Sequence, residues 1–362
     1  MQFIDLQAQY QAYKSEIDTA IAEVLQTSRY INGPNVENLE KGLAHFVGVE
    51  RGVGFSSGTD ALLATLMAWN IGPGDEVITT PFTFIATAEV ICLVGAKPVF
   101  VDIEPDTLNM DPACIEAAIT EKTKLIMPVS LYGQCADFDA INAIAKKHGL
   151  LCFEDACQSM GAEQNGKRSC SLTQAGAVSF FPAKPMGCYG DGGMVFTDDS
   201  ALADTLLEIR EHGQSARYQH GRIGINGRLD AIQAAILLVK AAHFEDEIEA
   251  RQKVAQRYMD GLKGVVDLPV IRPGNKSVFA QFTIRSPERV QLAEALGKAG
   301  IPTAVHYPIP LHRQPVFADL GYSEDALPVA DKAASQVLSL PMHPFMQQSE
   351  QDQVIQAIKS AT

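Results

Sequence analysis

The sequence predicts an α/β fold, in which a mostly parallel sheet lies between helices and a small C-terminal α+β domain follows. The first observation is that short apolar runs alternate with helical segments from Gly52 to about Thr197. The second is a long helical segment, roughly Leu229–Leu262, which could bridge two domains. The third is a change of pattern beyond Gly264, where an alternating strand and short helices take over.

Length and composition are those of an ordinary globular protein with two domains. The chain has 362 residues, 46% of them hydrophobic, and we place the domain boundary between 1–240 and 241–362. Its 43 acidic residues outnumber 29 basic ones, and the resulting net charge of −14 argues against a nucleic-acid or membrane partner. The sequence shows no signal-peptide pattern and its 7 cysteines are scattered, so we expect a cytoplasmic protein. Because the cysteines also lack metal-site spacing, we expect no metal.

Each element of the large domain follows from periodicity or from turn residues. Two helices are expected before the sheet, because apolar residues recur there at helical spacing on either side of a Gly33-Pro34 turn. Strands are then predicted from short apolar runs, most of which lead into a helix. In chain order the predicted elements are helices Tyr10–Gln26 and Val36–Phe46, strand Gly52–Phe55, helix Thr59–Trp69, strand Glu76–Thr79, helix Ile85–Val94, strand Lys97–Ile103, helix Asp111–Ile119, strand Lys124–Val129, helix Phe138–Lys147, strands Leu150–Glu154, Ala177–Phe181 and Met194–Thr197, and helix Ser200–His212.

The C-terminal part has fewer and shorter elements. An alternating strand is predicted at Ser277–Arg285 and a helix at Val290–Ala299. A second strand is expected at Thr303–His306 and a last helix at Gln351–Ser360. Strands and helices of this size predict a small α+β domain of about 100 residues.

Loops that follow the carboxyl ends of parallel strands bind ligands in such sheets. The first such loop, Phe55–Asp60, enters a helix through Gly58 and Thr59, so its free amides could hold an anion, although an ordinary helix cap fits equally well. The second loop begins at Asp155, directly after an apolar run. A carboxylate there suits a cationic ring or a metal, with a helix cap as the alternative.

Two further loops carry an amine and an aromatic ring. Lys184 lies between Pro182 and Pro185 at the end of an apolar strand, where partial burial would favour a nucleophilic amine, although most lysines after strands are simply solvated. Phe84 follows the second strand and could stack on a planar ligand or belong to the core. Taken together, the four loops match pyridoxal phosphate (PLP), which combines a phosphate, a cationic ring and an aldehyde.

Many short motifs, in order and over nearly the whole chain, carry a family resemblance. They are Tyr30-Ile31-Asn32-Gly33-Pro34, Ser57-Gly58-Thr59-Asp60-Ala61-Leu62, Pro81-Phe82-Thr83-Phe84-Ile85-Ala86-Thr87, Pro128-Val129-Ser130-Leu131-Tyr132-Gly133, Glu154-Asp155-Ala156, Ser179 to Lys184, Gly190-Asp191-Gly192-Gly193, Asn226-Gly227-Arg228 and His306-Tyr307-Pro308. Through these motifs the chain resembles the sugar aminotransferases of the DegT/DnrJ/EryC1/StrS family. The resemblance implies a fold-type I PLP enzyme.

The resemblance also assigns roles to individual residues. It implies that Lys184 binds PLP as a Schiff base and acts as the catalytic residue, and that Asp155 pairs with the ring nitrogen. The other implied cofactor residues are Gly58, Thr59 and Ser179 at the phosphate, Phe84 on the ring face, Gln158 near the ring hydroxyl, and Asn226 from the second subunit of a homodimer with shared sites. Arg228, His306 and Tyr307 are implied on the substrate side, and Arg29 is a further candidate for a substrate anion.

Within the family, the chain looks closest to enzymes that aminate C3 of UDP-2-acetamido-2-deoxy-3-keto-glucuronic acid for surface polysaccharides such as the O-antigen. The markers are Ser130–Asp139, Lys167–Cys170, Phe181–Tyr189 and Ala304–Pro310. The implied amino donor is L-glutamate, which would leave the cofactor in its pyridoxamine 5'-phosphate form. Amination at C4 of the sugar and a non-catalytic regulator that binds PLP or a sugar remain alternatives.

Overall fold

The computed structural model describes residues 1–362, and its centre is a sheet of seven strands. The order of the strands across this sheet is Arg51–Phe55, Gly193–Thr197, Ala175–Ser179, Leu151–Asp155, Thr123–Met127, Glu76–Thr79 and Lys97–Phe100. The helices are α1 (Leu6–Thr27), α2 (Pro34–Val47), α3 (Gly58–Ala68), α4 (Ala86–Leu93), α5 (Phe138–His148), α6 (Ser200–Arg210), α7 (Ala231–Leu262), α8 (Arg289–Lys298), α9 (Pro328–Gln336) and α10 (Gln348–Ala361). The strands are β1 (Arg51–Phe55), β2 (Glu76–Thr79), β3 (Lys97–Phe100), β4 (Thr123–Met127), β5 (Leu151–Asp155), β6 (Glu163–Gln164), β7 (Lys167–Arg168), β8 (Ala175–Ser179), β9 (Gly193–Thr197), β10 (Gln214–Ala216), β11 (Gln219–His220), β12 (Asn275–Lys276), β13 (Phe282–Arg285) and β14 (Val337–Leu340).

The central sheet is mostly parallel, as the sequence predicts. β3, β2, β4, β5 and β8 pair in parallel, and only β9 runs the other way, between β8 and β1. The carboxyl ends of β1, β5 and β8 therefore reach the same edge of the sheet. This edge brings together loops that are far apart in the sequence.

Helices cover both faces of the sheet, and a separate apolar core lies on each face. On one face, side chains of α2, α5 and α7 pack together, among them Leu39, Ile141 and Phe244. On the other face, α3, α4 and α6 contribute side chains such as Leu62 and Leu206. Because both faces of the sheet are buried, the strand sequences are continuous apolar runs and do not alternate between apolar and polar residues.

Helix α7 has 32 residues and belongs to two cores. Its first half, with Leu237 and Phe244, packs in the core of the large domain. Its second half, with Tyr258 and Leu262, packs against β13, β14 and α10 in a third apolar core. The antiparallel pair of β13 with β14 is the small sheet of the C-terminal part.

Two predicted elements are wrong. The helix expected at Asp111–Ile119 is a pair of 3₁₀ turns, Pro112–Cys114 and Glu116–Ala118. The side chain of Asp111 caps the first turn by accepting a hydrogen bond from the amide of Ala113, and the second turn ends where the backbone becomes extended at Ile119. The strand expected at Thr303–His306 is a single bridge between Ala304 and Ser339, on the edge of β14 opposite to β13.

The sequence-based prediction also missed α9 and β14, which lie in a stretch with little periodicity. None of the helices combines the length and the apolar character needed to cross a membrane. All 7 cysteines are free thiols, and Cys135, Cys152, Cys170 and Cys188 are buried.

Candidate active site

A cavity of about 440 Å³ lies at the edge of the sheet where β1, β5 and β8 end. Most of the predicted site residues line it, namely Gly58, Thr59, Phe84, Asp155, Gln158, Ser179, Lys184, His306 and Tyr307. The first seven come from the large domain and the last two from the loop that precedes Pro308 in the C-terminal part. Residues separated by more than two thirds of the chain therefore face one space.

Asp155, the last residue of β5, is a buried carboxylate with no cationic partner in the protein. It is 4% exposed, accepts a hydrogen bond of 2.7 Å from the Thr87 hydroxyl at Oδ2, and accepts one of 3.1 Å from the Cys157 amide at Oδ1. A buried charge is costly unless a cation or hydrogen bonds compensate it. The neutral donors orient this carboxylate and leave its charge available to a cationic ligand.

The helix start at α3 offers unpaired amides beside Ser179. Ser57 caps the helix by accepting a hydrogen bond of 3.0 Å from the Asp60 amide, and the amides of Gly58 and Thr59 donate to no protein acceptor. A Cβ atom on Gly58 would lie 2.7 Å from the Cβ of Ser179, so only glycine allows the helix to approach β8 this closely. The cap and the anion site considered from the sequence therefore coexist, and the arrangement fits a phosphate group.

Lys184 projects from a tight loop that follows β8. The loop closes through a hydrogen bond of 2.7 Å from the Cys188 amide to the Phe180 carbonyl, and the Lys184 amide donates to the Phe181 carbonyl at 2.8 Å. The side chain is half-buried at the cavity wall. An amine held in this way can reach a ligand from the sheet edge.

His306 and Tyr307 form the opposite wall. Burial lowers the pKa of His306, and the neighbouring charge of Lys184 lowers it further, so the imidazole is neutral at pH 7. Its Nδ1 lies 3.0 Å from the Ser339 hydroxyl. The Tyr307 hydroxyl accepts a hydrogen bond of 3.1 Å from Gln158, and burial raises the pKa of this tyrosine. Both side chains are therefore uncharged hydrogen-bonding groups.

Phe84 and Gln158 complete the cavity. The Phe84 ring is 56% exposed and has a tilted contact with Tyr307 at 6.4 Å between ring centroids, so one face is open to a planar ligand. The side-chain oxygen of Gln158 accepts a hydrogen bond of 2.7 Å from the Tyr132 amide, which fixes its orientation.

Three predicted residues lie outside this cavity. Arg228 forms an ion pair with Glu211, whose other oxygen accepts a hydrogen bond of 2.9 Å from Asn32. Asn226 pairs through its backbone with Glu211. Arg29 is exposed at the end of α1. Within a single chain these side chains do not meet the residues of the cavity.

Sequence reasoning missed several lining residues. Thr87, whose hydroxyl donates to Asp155, lies in the first turn of α4, and its hydroxyl is 3.1 Å from that of Thr83 in the loop before this helix. Gln281 also lines the cavity, and its side-chain oxygen is buried without a partner. No local pattern predicts that contact, because it depends on the packing of the C-terminal part against the sheet.

A ligand that fits these walls is anionic at one end, cationic on a ring and reactive towards an amine. PLP combines these properties, and the unpaired amides, the buried Asp155 carboxylate and the Lys184 amine fit its phosphate, ring nitrogen and aldehyde. Together with the mostly parallel sheet flanked by helices, the cavity therefore defines the class of fold-type I PLP enzymes.

Comparisons with known proteins give the family. Residues 11–359 match the model of the DegT/DnrJ/EryC1/StrS aminotransferase family, and the chain belongs to this family. It is 55% identical, over 96% of each chain, to the UDP-2-acetamido-2-deoxy-3-oxo-D-glucuronate aminotransferase of Pseudomonas aeruginosa. It is 50% identical, over 98% of this chain and 96% of the other, to a protein of Geobacillus stearothermophilus named pleiotropic regulatory protein.

A solved structure agrees with this assignment. NtdA of Bacillus subtilis, crystallised with bound pyridoxamine 5'-phosphate, superposes with a TM-score of 0.90 at 33% identity, over 97% of this chain and 82% of the other. The protein is thus a PLP-dependent sugar aminotransferase. The family, fold class, enzyme class and cofactor predicted from the sequence are confirmed.

Proposed function

We propose that the enzyme transfers an amino group from L-glutamate to C3 of UDP-2-acetamido-2-deoxy-3-keto-glucuronic acid. The observation that carries this proposal is the 55% identity, over 96% of both chains, to an aminotransferase named for that substrate. The lined cavity supports the chemistry, and its neutral His306 and Tyr307 supply hydrogen bonds suited to a sugar.

In this proposal Lys184 has two roles. Its amine would hold the cofactor covalently in the resting enzyme. As a free amine at the cavity wall, Lys184 would also serve as the general base and acid that moves a proton during the reaction. When bound, PLP supplies an electron sink through its cationic ring. Asp155 keeps that ring nitrogen protonated, and the Gly58 and Thr59 amides with the Ser179 hydroxyl bind the phosphate.

The proposal includes a homodimer in which each cavity is completed by the second copy. Asn226 and Arg228, which lie outside the cavity of their own chain, would reach the cofactor and the substrate of the partner. Two apolar side chains nearby support this, since Tyr218 is 80% exposed and Ile223 is 85% exposed. In the proposed dimer the second copy would cover these two side chains.

The biological setting is part of the same proposal. A sugar that carries a carboxylate and a diphosphate is too charged to cross a membrane, so it is made where nucleotides are available. The absence of any disulfide among 7 cysteines supports a reducing compartment such as the cytoplasm. We place the reaction in the supply of amino sugars for surface polysaccharides such as the O-antigen.

Absorption spectra and product analysis test the reaction. The purified holoenzyme should show a visible band that L-glutamate bleaches, and addition of the 3-keto UDP-sugar should restore the band and yield the 3-amino sugar by mass spectrometry. A 4-keto UDP-sugar is the matched control. If the enzyme aminates only the 4-keto sugar, the proposed substrate is wrong. If L-glutamate leaves the band unchanged, the proposed amino donor is wrong.

Mixed dimers test the shared sites. Lys184→Ala chains and Asn226→Ala/Arg228→Ala chains should each be nearly inactive alone, and mixing them should restore about a quarter of the wild-type activity, because half of the dimers then contain one intact site. A chain that carries all three changes is the control, since its mixture with Lys184→Ala contains no intact site. Mass spectrometry should verify that the dimers have exchanged chains. If they have and the first mixture recovers no activity, the two subunits do not share active sites.

A further inference from the structure

The loop that carries Lys184, here called the lysine loop (Phe180–Asp191), is folded tightly onto itself. A Cβ atom on Gly187 would lie 2.3 Å from the Pro182 carbonyl oxygen, so Gly187 presses directly on the backbone that leads into Lys184. The Cys188 thiol also lies 3.1 Å from the Phe180 carbonyl oxygen. The position of Gly187 therefore determines that of Lys184.

Helix α7 contacts this loop through two side chains, Lys240 and Gln233. The ammonium group of Lys240 donates a hydrogen bond to the Gly187 carbonyl and lies 4.5 Å from the centroid of the Tyr189 ring. Gln233, two turns earlier on the same helix face, accepts a hydrogen bond of 2.9 Å from the Tyr189 amide and donates one of 3.3 Å to the Tyr189 carbonyl. Two side chains of one helix thus fasten the second half of the lysine loop.

Lys240 is a buried cation without a carboxylate in ion-pair contact. It is 3% exposed, and burial lowers its pKa to about 8, while Glu247 on α7 and the Cys188 thiol act in the opposite direction. Glu247 is itself engaged, because it accepts hydrogen bonds of 2.8 and 3.0 Å from Gln9 on α1.

Two further ionisable groups lie around this cation. Tyr10 of α1 contacts the edge of the Tyr189 ring, and Tyr189 lies between it and Lys240. Burial raises the pKa of Tyr189 to about 12, so this ring stays neutral while Lys240 titrates. Lys240 is consequently protonated at pH 7 and loses its proton as the pH rises through about 8.

We propose that Lys240 is a positioning residue for Lys184, whose ammonium group fixes the lysine loop at Gly187 and releases it on deprotonation. A charged donor binds a carbonyl more strongly than a neutral one, so loss of the proton weakens the contact that closes the loop. Nothing in the proposed reaction requires Lys240 to touch substrate or cofactor. The inference rests on the proposed role of Lys184, and it adds a second lysine that controls the geometry of the first.

Hydrogen exchange in the cofactor-free protein gives a test that is independent of activity. At pH 7, Lys240→Met should raise the exchange of amides in residues 181–190, after correction for intrinsic rates, by roughly tenfold. Lys253→Met, an exposed lysine on the same helix, is the matched control and should leave this segment unchanged. Unchanged protection in Lys240→Met at pH 7 would overturn the proposal.

The pH dependence separates positioning from a purely structural role. Wild-type protection of residues 181–190 should fall between pH 7 and pH 9, whereas Lys240→Arg should keep it at both values because arginine stays charged. In the wild-type holoenzyme, kcat should decline at alkaline pH with a midpoint near pH 8. In the Lys240→Arg holoenzyme this decline should be absent. If Lys240→Arg loses protection with pH as the wild type does, Lys240 is not the titrating group and the proposal fails.

The two proposals fail in different ways. If Lys184→Ala retains activity, the proposed function of Lys184 is wrong, while the exchange result for Lys240 still describes the loop. If Lys184→Ala is inactive and Lys240→Met has wild-type exchange and a wild-type pH profile, only the positioning role is wrong.

Discussion

Replacement of Lys184 by alanine is expected to lower turnover by about 10⁴-fold or more. The change removes both the amine that would hold the cofactor covalently and the group that would carry the proton, and general acid–base catalysis alone contributes about 10²- to 10⁴-fold. The fold should be unaffected, because the side chain is half-buried at a cavity wall and its loop is closed by backbone hydrogen bonds. The measurement is kcat with L-glutamate and the 3-keto UDP-sugar.

Two further observations sharpen this test. Borohydride treatment followed by mass spectrometry should find the cofactor attached to the peptide with Lys184 in the wild type, and no attachment in Lys184→Ala. Lys167→Ala, which changes an exposed lysine on β7, is the control and should keep wild-type turnover. Appreciable transamination by Lys184→Ala without added amines would remove this residue from both roles.

Replacement of Asp155 by asparagine is expected to lower kcat by about 10³-fold, as removal of a preorganised electrostatic group does in other enzymes. Asparagine has the same shape, so its oxygen can accept the hydrogen bond from the Cys157 amide and its nitrogen can donate to the Thr87 hydroxyl. The variant should therefore fold and still bind the cofactor. What it lacks is the negative charge that, in the proposed function, would keep the ring nitrogen protonated.

Measured affinity for the cofactor and kcat distinguish the electrostatic effect from misfolding. Asp319→Asn, at an exposed position that takes part in no ion pair, is the matched control and should behave as wild type. A near-normal kcat in Asp155→Asn would mean that the ring nitrogen has another partner.

The strand-end residues could be predicted because local sequence encodes them. Asp155 and Lys184 each follow a buried run, and a parallel sheet places such positions at one edge whatever the loops do. Gly58 was recognisable for a similar reason, since a helix start that touches a neighbouring strand leaves no room for a Cβ atom. Predicting these residues therefore requires only a short sequence pattern and the rule that parallel strands end at the same edge of a sheet.

The remaining residues depend on contacts that no local pattern contains. Thr303–His306 alternates like a strand but makes a single bridge, which lies on the edge of β14 that β13 leaves free. Gln281 reaches the cavity only through the docking of the C-terminal part on the sheet. Lys240 was unremarkable in sequence because a lysine in a long helix is usually solvated, and only the packing of α7 against the lysine loop buries it.

The lack of a protein cation beside Asp155 has a consequence for how much enzyme a cell can maintain. A chain without its cofactor carries a buried charge that only neutral donors compensate, so its folded state is less favourable than that of the loaded chain. A ligand that binds only the folded state shifts the folding equilibrium in proportion to its concentration relative to its dissociation constant. Vitamin B6 supply would then govern abundance as well as activity, because starved chains unfold more often and are exposed to proteases.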